Sequence, residues 1–109
     1  MKTDKVLQLL SLSQRAGKVS SGEFSTEESI KGGNAELVIL AKDSSDKTKK
    51  HFNDMCTYRN IPCIEYSDKE TLGHCIGKEF RASLSVNDKG LSDKILKVCN
   101  DLANGAEVV

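Results

Sequence analysis

Apolar side chains fall at helical spacing in some stretches of this chain and in unbroken or alternating runs in others, with Gly, Asn, Ser and one Pro between them. Val6, Leu9, Leu10 and Ser13 share one face of a helix predicted over 3–15, flanked by Leu7 and Leu12 and stopped by Gly17. A short extended piece, 18–20, leads into Ser20-Ser21-Gly22-Glu23, a capping-box pattern with Ser20 as cap and Glu23 three residues on. The helix it opens, 22–31, has a thin apolar face of Phe24 and Ile30 with hydroxyls between, and stops at Gly32-Gly33. From Leu37 to Ala41 the chain is continuously apolar, which predicts a central strand covered on both faces. After a polar loop, a helix over 46–59 buries Phe52, Met55 and Cys56, exposes Lys47, Lys49 and Lys50, and is closed by Asn60 and Pro62. Residues 63–66 read as another strand. Ser67-Asp68-Lys69-Glu70 is a second capping-box pattern, opening a short helix with Leu72, Cys75 and Ile76 inside and Gly77 at its end. Ala82, Leu84 and Val86 alternate with serines as a half-buried strand, and a last helix from 87 or 88 aligns Leu91, Ile95, Val98, Cys99 and Leu102.

The order is α-β-α-β-α-β-α-β-α. Strands alternating with helices predict a three-layer α/β/α sandwich, with residues 1–103 as one domain and 104–109 as a fraying tail. Ligands of such sheets sit at loops beyond strand ends, which points to 18–24, 41–46 and 77–81.

Composition narrows the function. The chain has 109 residues, 38% hydrophobic and 29% charged, enough for a packed core. Sixteen Lys and Arg balance sixteen Asp and Glu, so bulk positive charge is excluded as the means of gripping nucleic acid, while a local basic face is not. No apolar run approaches the ~20 residues of a membrane span. The start runs straight into the amphipathic pattern without a signal-peptide core, so a soluble, cytoplasmic protein is expected. The four cysteines, 56, 63, 75 and 99, lack Cys-x-x-Cys spacing. They read as reduced thiols, with no metal, cofactor or disulfide expected.

No catalytic constellation emerges. Gly73-His74-Cys75-Ile76-Gly77-Lys78-Glu79 has one residue too few between its glycines for a P-loop, and Glu79 where a metal-holding Ser or Thr is required. His74 and Cys75 are neighbours on a helix and point apart, as do Glu27 and Glu28. His51 falls on a solvated helix face. Basic residues gather around the candidate loops: Arg15 and Lys18, then Lys42, Lys47, Lys49 and Lys50, then His74, Lys78 and Arg81.

Arg15-Ala16-Gly17-Lys18, Gly22, Ala35 through Asp43, Asn60-Ile61-Pro62 and Leu72 through Glu79 occur in an order that resembles the ribosomal L7Ae/L30e family, its short bacterial YlxQ-type branch above all. The resemblance spans roughly 4–96. It implies an L30e-like sandwich with a four-stranded mixed sheet, acting without catalysis as a monomer that binds structured RNA of the kink-turn type, in the ribosome or another ribonucleoprotein. In that family the second helix opens with Gly-x-Asn-Glu-x-x-Lys, whose side chains read sheared G·A pairs where the kink opens a groove. A loop after the fourth helix holds a flipped-out base. Carried over by position, Gly22 matches the glycine, while Phe24, Ser25 and Glu28 replace Asn, Glu and Lys. Lys42 and Asp43 match the post-strand loop, and Lys78, Glu79 and Phe80 occupy the base-holding loop, followed by Arg81. Together with Lys18 these are the candidate RNA contacts. A carboxylate at 28 repels phosphate and cannot donate to a base acceptor. The replaced readers and the zero net charge favour the alternative, a protein–protein adaptor on the same fold that no longer recognises kink-turns.

Overall fold

The structure, a computed structural model, describes residues 4–105; Thr3 and the end of the expected tail, 106–109, lie outside them. The elements alternate as read: α1 (Lys5–Arg15), β1 (Val19–Ser21), α2 (Glu23–Lys31), β2 (Leu37–Leu40), α3 (Asp46–Arg59), β3 (Cys63–Glu65), α4 (Lys69–Cys75), β4 (Ser83–Val86) and α5 (Lys89–Ala103). The sheet runs β1-β4-β2-β3. β4 is antiparallel to both neighbours, and β2 and β3 are parallel, so the four-stranded sheet is mixed.

The unbroken apolar run of β2 serves two cores at once. Leu37 and Ile39 face α1, α4 and α5, packing with Val6, Leu10, Leu72, Leu84, Val86 and Ile95. Val38 and Leu40, one residue out of phase, face the other way onto Ile30, Phe52 and Cys56 of α2 and α3. Helices therefore cover both faces, as the sandwich requires.

Four helices begin on a side-chain cap. Asp4, Ser45, Asp68 and Asp88 each accept a hydrogen bond from the backbone N–H three residues on, at 2.7–3.1 Å. Neither capping box forms as read. Ser67 sits at φ 59°, whereas a cap needs extended backbone, so Asp68 at φ −123° takes the role. Ser20 is committed to β1, opposite Ser85, and the cap of α2 is Gly22 at φ 91°, with no side-chain hydrogen bond. That φ is open to glycine and strained for any side chain.

Three burial expectations are corrected. β4 is buried on both faces, not half-exposed: Leu84 and Val86 enter one core, while Ser83 and Ser85 lie under α2. Serine is small enough to let a helix sit close, so its polarity misreads as exposure. Phe24 is not part of the buried face of α2, which consists of Thr26, Ser29 and Ile30; its ring is 75% exposed. Leu102, at the end of the α5 stripe, is 43% exposed, while Ile95 and Val98 are buried.

Candidate nucleic-acid interface

Register brings three loops to one end of the sheet. Ser21 pairs with Leu84, and Leu40 pairs with both Ser83 and Glu65. The start of α2, the loop 41–45 and the segment 77–82 therefore meet where β1, β2 and β3 end and β4 begins. Backbone and side chains stitch them together. The Gly22 N–H donates to Ser83 O at 3.0 Å, the Ala41 N–H to Ala82 O at 2.9 Å, and the Ser44 hydroxyl to the same carbonyl at 2.9 Å. Arg81 Nε donates to Ser21 Oγ at 3.1 Å and its Nη1 to Phe80 O at 2.9 Å. Asp43 Oδ1 accepts from the Lys69 N–H at 2.9 Å and so holds the start of α4 against the post-strand loop. Asp43 and Arg81 thus position this end of the molecule, while Lys42 and Lys78 extend from it, exposed.

Segment 77–80 rests on Gly73. A Cβ there would overlap the Glu79 carbonyl and lie 3.2 Å from the Phe80 Cα. The Gly73 carbonyl also accepts from the Lys78 N–H at 2.8 Å. The loop so held projects Phe80, 63% exposed, beside Glu70, His74, Lys78 and Glu79, which line a shallow pocket.

Lys18 lies at the opposite end of the sheet, where its carbonyl accepts from the Asn87 N–H at 2.7 Å. It rejoins the others along a groove of about 460 Å³ between α2 and the outer edge of β1, lined by Lys18, Ser20, Phe24, Ser25, Glu28 and Asn87 among others. In the sequence Asn87 stands out only as one of two starts for the last helix. Its Oδ1 accepts from Ser29 Oγ at 2.6 Å and Ser85 Oγ at 2.9 Å, and its Nδ2 donates to Ser20 Oγ at 3.0 Å. One amide therefore joins α2, β1 and β4 and fixes the groove floor. Glu27 and Glu28 do point apart: Glu28 lines the groove, while Glu27 is 2.6 Å from His51 Nε2 across to α3. His51 is thus partnered rather than simply solvated. With Glu23 these two put ligand-type atoms within 4.8 Å of one another, Glu23 and His51 exposed and Glu27 half-buried.

The thiols offer no exposed, activated nucleophile among the described residues. Burial pushes Cys75 up to about 11 and raises Cys99, with Asp4 adding to both. Cys56 is buried, and its hydrogen bond with Cys63 lowers it while raising Cys63. No helix among the described residues is long and apolar enough to cross a membrane.

Comparison with known proteins agrees with this architecture. The profile of the ribosomal protein L7Ae/L30e/S12e/Gadd45 family matches residues 4–96. The RNA-binding protein YlxQ of Bacillus subtilis is 38% identical over 90 residues, 83% of this chain and 90% of that protein. The large ribosomal subunit protein eL8 of Thermoplasma acidophilum is 29% identical, covering 87% of this chain and 79% of its own. A Bacillus halodurans C protein of unknown function superposes with a TM-score of 0.87 at 34% identity, over 90% of this chain and 99% of the other. The Giardia lamblia 15.5kD RNA binding protein shares the fold, with a TM-score of 0.75 at 18% identity over 95% and 92% of the two chains.

Proposed function

This chain belongs to the ribosomal protein L7Ae/L30e/S12e/Gadd45 family, and from that premise we propose that it binds structured RNA of the kink-turn type through the end of the sheet where α2 begins. The carrying observation is the convergence there of the α2 N-terminus, the loop 41–45 and the loop 77–81. α2 starts without a side-chain cap, so its first backbone N–H groups can receive phosphate oxygens, favoured by the helix dipole. Lys42 and Lys78 supply cations on either side, and Phe80 an apolar surface for an extruded base. The role is non-enzymatic and cytoplasmic, carried out by a monomer in a ribosomal or other ribonucleoprotein setting. Relatives named as an RNA-binding protein and a ribosomal subunit protein support this reading.

A phosphate-anchored interface is salt-sensitive. Lys42→Ala and Lys78→Ala should each weaken binding to a kink-turn hairpin and reduce the slope of log K against log salt by about one. Fluorescence anisotropy across a salt series measures both. Absence of RNA binding by the unaltered protein at low salt would overturn the reading. The exposed rings of Phe24 and Phe80 would then favour the adaptor role on the same surface.

A further inference from the structure

We propose that the groove between α2 and the β1 edge receives one unpaired guanine of the bound RNA, stacked on Phe24 with its Watson–Crick edge against the Glu28 carboxylate. The inference rests on the RNA-binding reading above and names the base that this groove selects.

Phe24 and Glu28 are four residues apart on α2, so their Cβ atoms stand about 5–6 Å from each other on one helix face. Both side chains are exposed and both line the groove. The Phe24 ring adds nothing to either core. An exposed phenyl face on a polar helix offers what an unstacked base requires, since every base has a π-face. The ring alone would not choose among bases; the carboxylate does. An ionised Glu only accepts hydrogen bonds. Guanine presents two adjacent donors on its Watson–Crick edge, N1–H and the N2 amine, which one carboxylate can take together. Adenine and cytosine present a donor beside an acceptor, and uracil a donor between two acceptors, so each sets a lone pair against the charge. Glu28 is therefore unfavourable toward phosphate and favourable toward one base edge.

The rest of the groove fits this task. The Asn87 amide is held by Ser20, Ser29 and Ser85, which fixes it as the floor of the groove. Glu27 is drawn away to His51, so a single carboxylate faces the groove from this turn of α2. Lys18 stands at the far end, where it can meet the phosphate of the same nucleotide. Duplex RNA cannot satisfy ring and carboxylate together, because its base faces are stacked and its Watson–Crick edges paired.

The test uses the full chain and one kink-turn hairpin whose unpaired bulge is all G, all A, all C, all U or all inosine, with affinity read by anisotropy at fixed salt. The G bulge should bind about tenfold or more tighter than A, C or U, as for a two-bond base contact. Inosine, which lacks the N2 amine, should fall between. Glu28→Gln should abolish the preference, bringing the G bulge to within about twofold of the others. Phe24→Ala should weaken all of them by about tenfold through lost stacking. An unchanged Tm verifies that these exposed substitutions leave the fold intact. Equal binding of the G, A, C and U bulges, or a G preference that survives Glu28→Gln, overturns the guanine site and leaves the RNA reading standing. Failure of every hairpin to bind at low salt overturns both.

Discussion

Ile95→Ala should lower the unfolding free energy by about 2–5 kcal/mol, the cost of truncating a fully enclosed aliphatic side chain in a core that relaxes only in part. Ile95 is entirely buried, in the cluster with Leu10, Leu84 and Val86. It lies on the buried face of α5, a helix that packs on α1 and β4. A domain of this size has only about 5–15 kcal/mol to lose, so the midpoint in urea should shift visibly. Leu102→Ala, on the same stripe but 43% exposed, should cost well under half as much. A loss below about 0.5 kcal/mol for Ile95→Ala would mean that α5 is not docked on this face.

Those two positions on the α5 stripe, Ile95 and Leu102, show what was legible in the sequence and what was not. Periodicity found the α5 face but could not tell where the helix runs past the sheet and leaves Leu102 over solvent. The β2 run was unambiguous because all four of its residues are apolar as well as buried, the usual mark of a strand covered on both faces. α3 ends where Asn60 marks it, because Asn60 takes the left-handed conformation, while its cap, Ser45, reads in the sequence only as part of a polar loop. β4 was misjudged because Ser83 and Ser85 serve a close helix contact, which hydropathy does not encode. The capping boxes failed because a cap depends on backbone φ at the turn, set by the pairing of β1 and by the tight turn at Ser67.

At the candidate site, the sequence named loops that the sheet register brings together, but not the division of labour within them. Asp43 and Arg81 carry charge that suits a ligand, yet their side chains are spent on Lys69 and on Ser21 and Phe80. Lys18 shares the groove with Phe24 and Glu28 from the other end of the sheet, a relation visible only once α2 lies alongside β1. Asn87 carried no motif at all, because its function comes from hydroxyls on three separate elements.

Gly73→Ala should destabilise the protein by about 1–3 kcal/mol or more and remove most of its RNA affinity. Helix propensity predicts the opposite sign, a gain approaching ~1 kcal/mol, because glycine is the poorer residue inside a helix such as α4. Packing wins here. The added methyl would collide with the Glu79 carbonyl and press on the Phe80 backbone, and neither is the far end of a flexible side chain that could swing aside. Segment 77–80 must lift, breaking the bond from the Lys78 N–H to Gly73 O and moving Lys78 and Phe80 off the proposed RNA surface. Gly90→Ala in α5 is the internal control. Its Cβ would meet only the Asp88 carboxylate at 3.4 Å, an ordinary contact, so propensity should prevail and stability should hold or rise by roughly 0.5 kcal/mol. Thermal unfolding of the two variants, with anisotropy on a kink-turn hairpin, separates the effects. A higher Tm for Gly73→Ala would show that the loop does not rest on α4. A lower Tm with unaltered RNA affinity would keep the packing and take the loop 77–80 out of the binding surface.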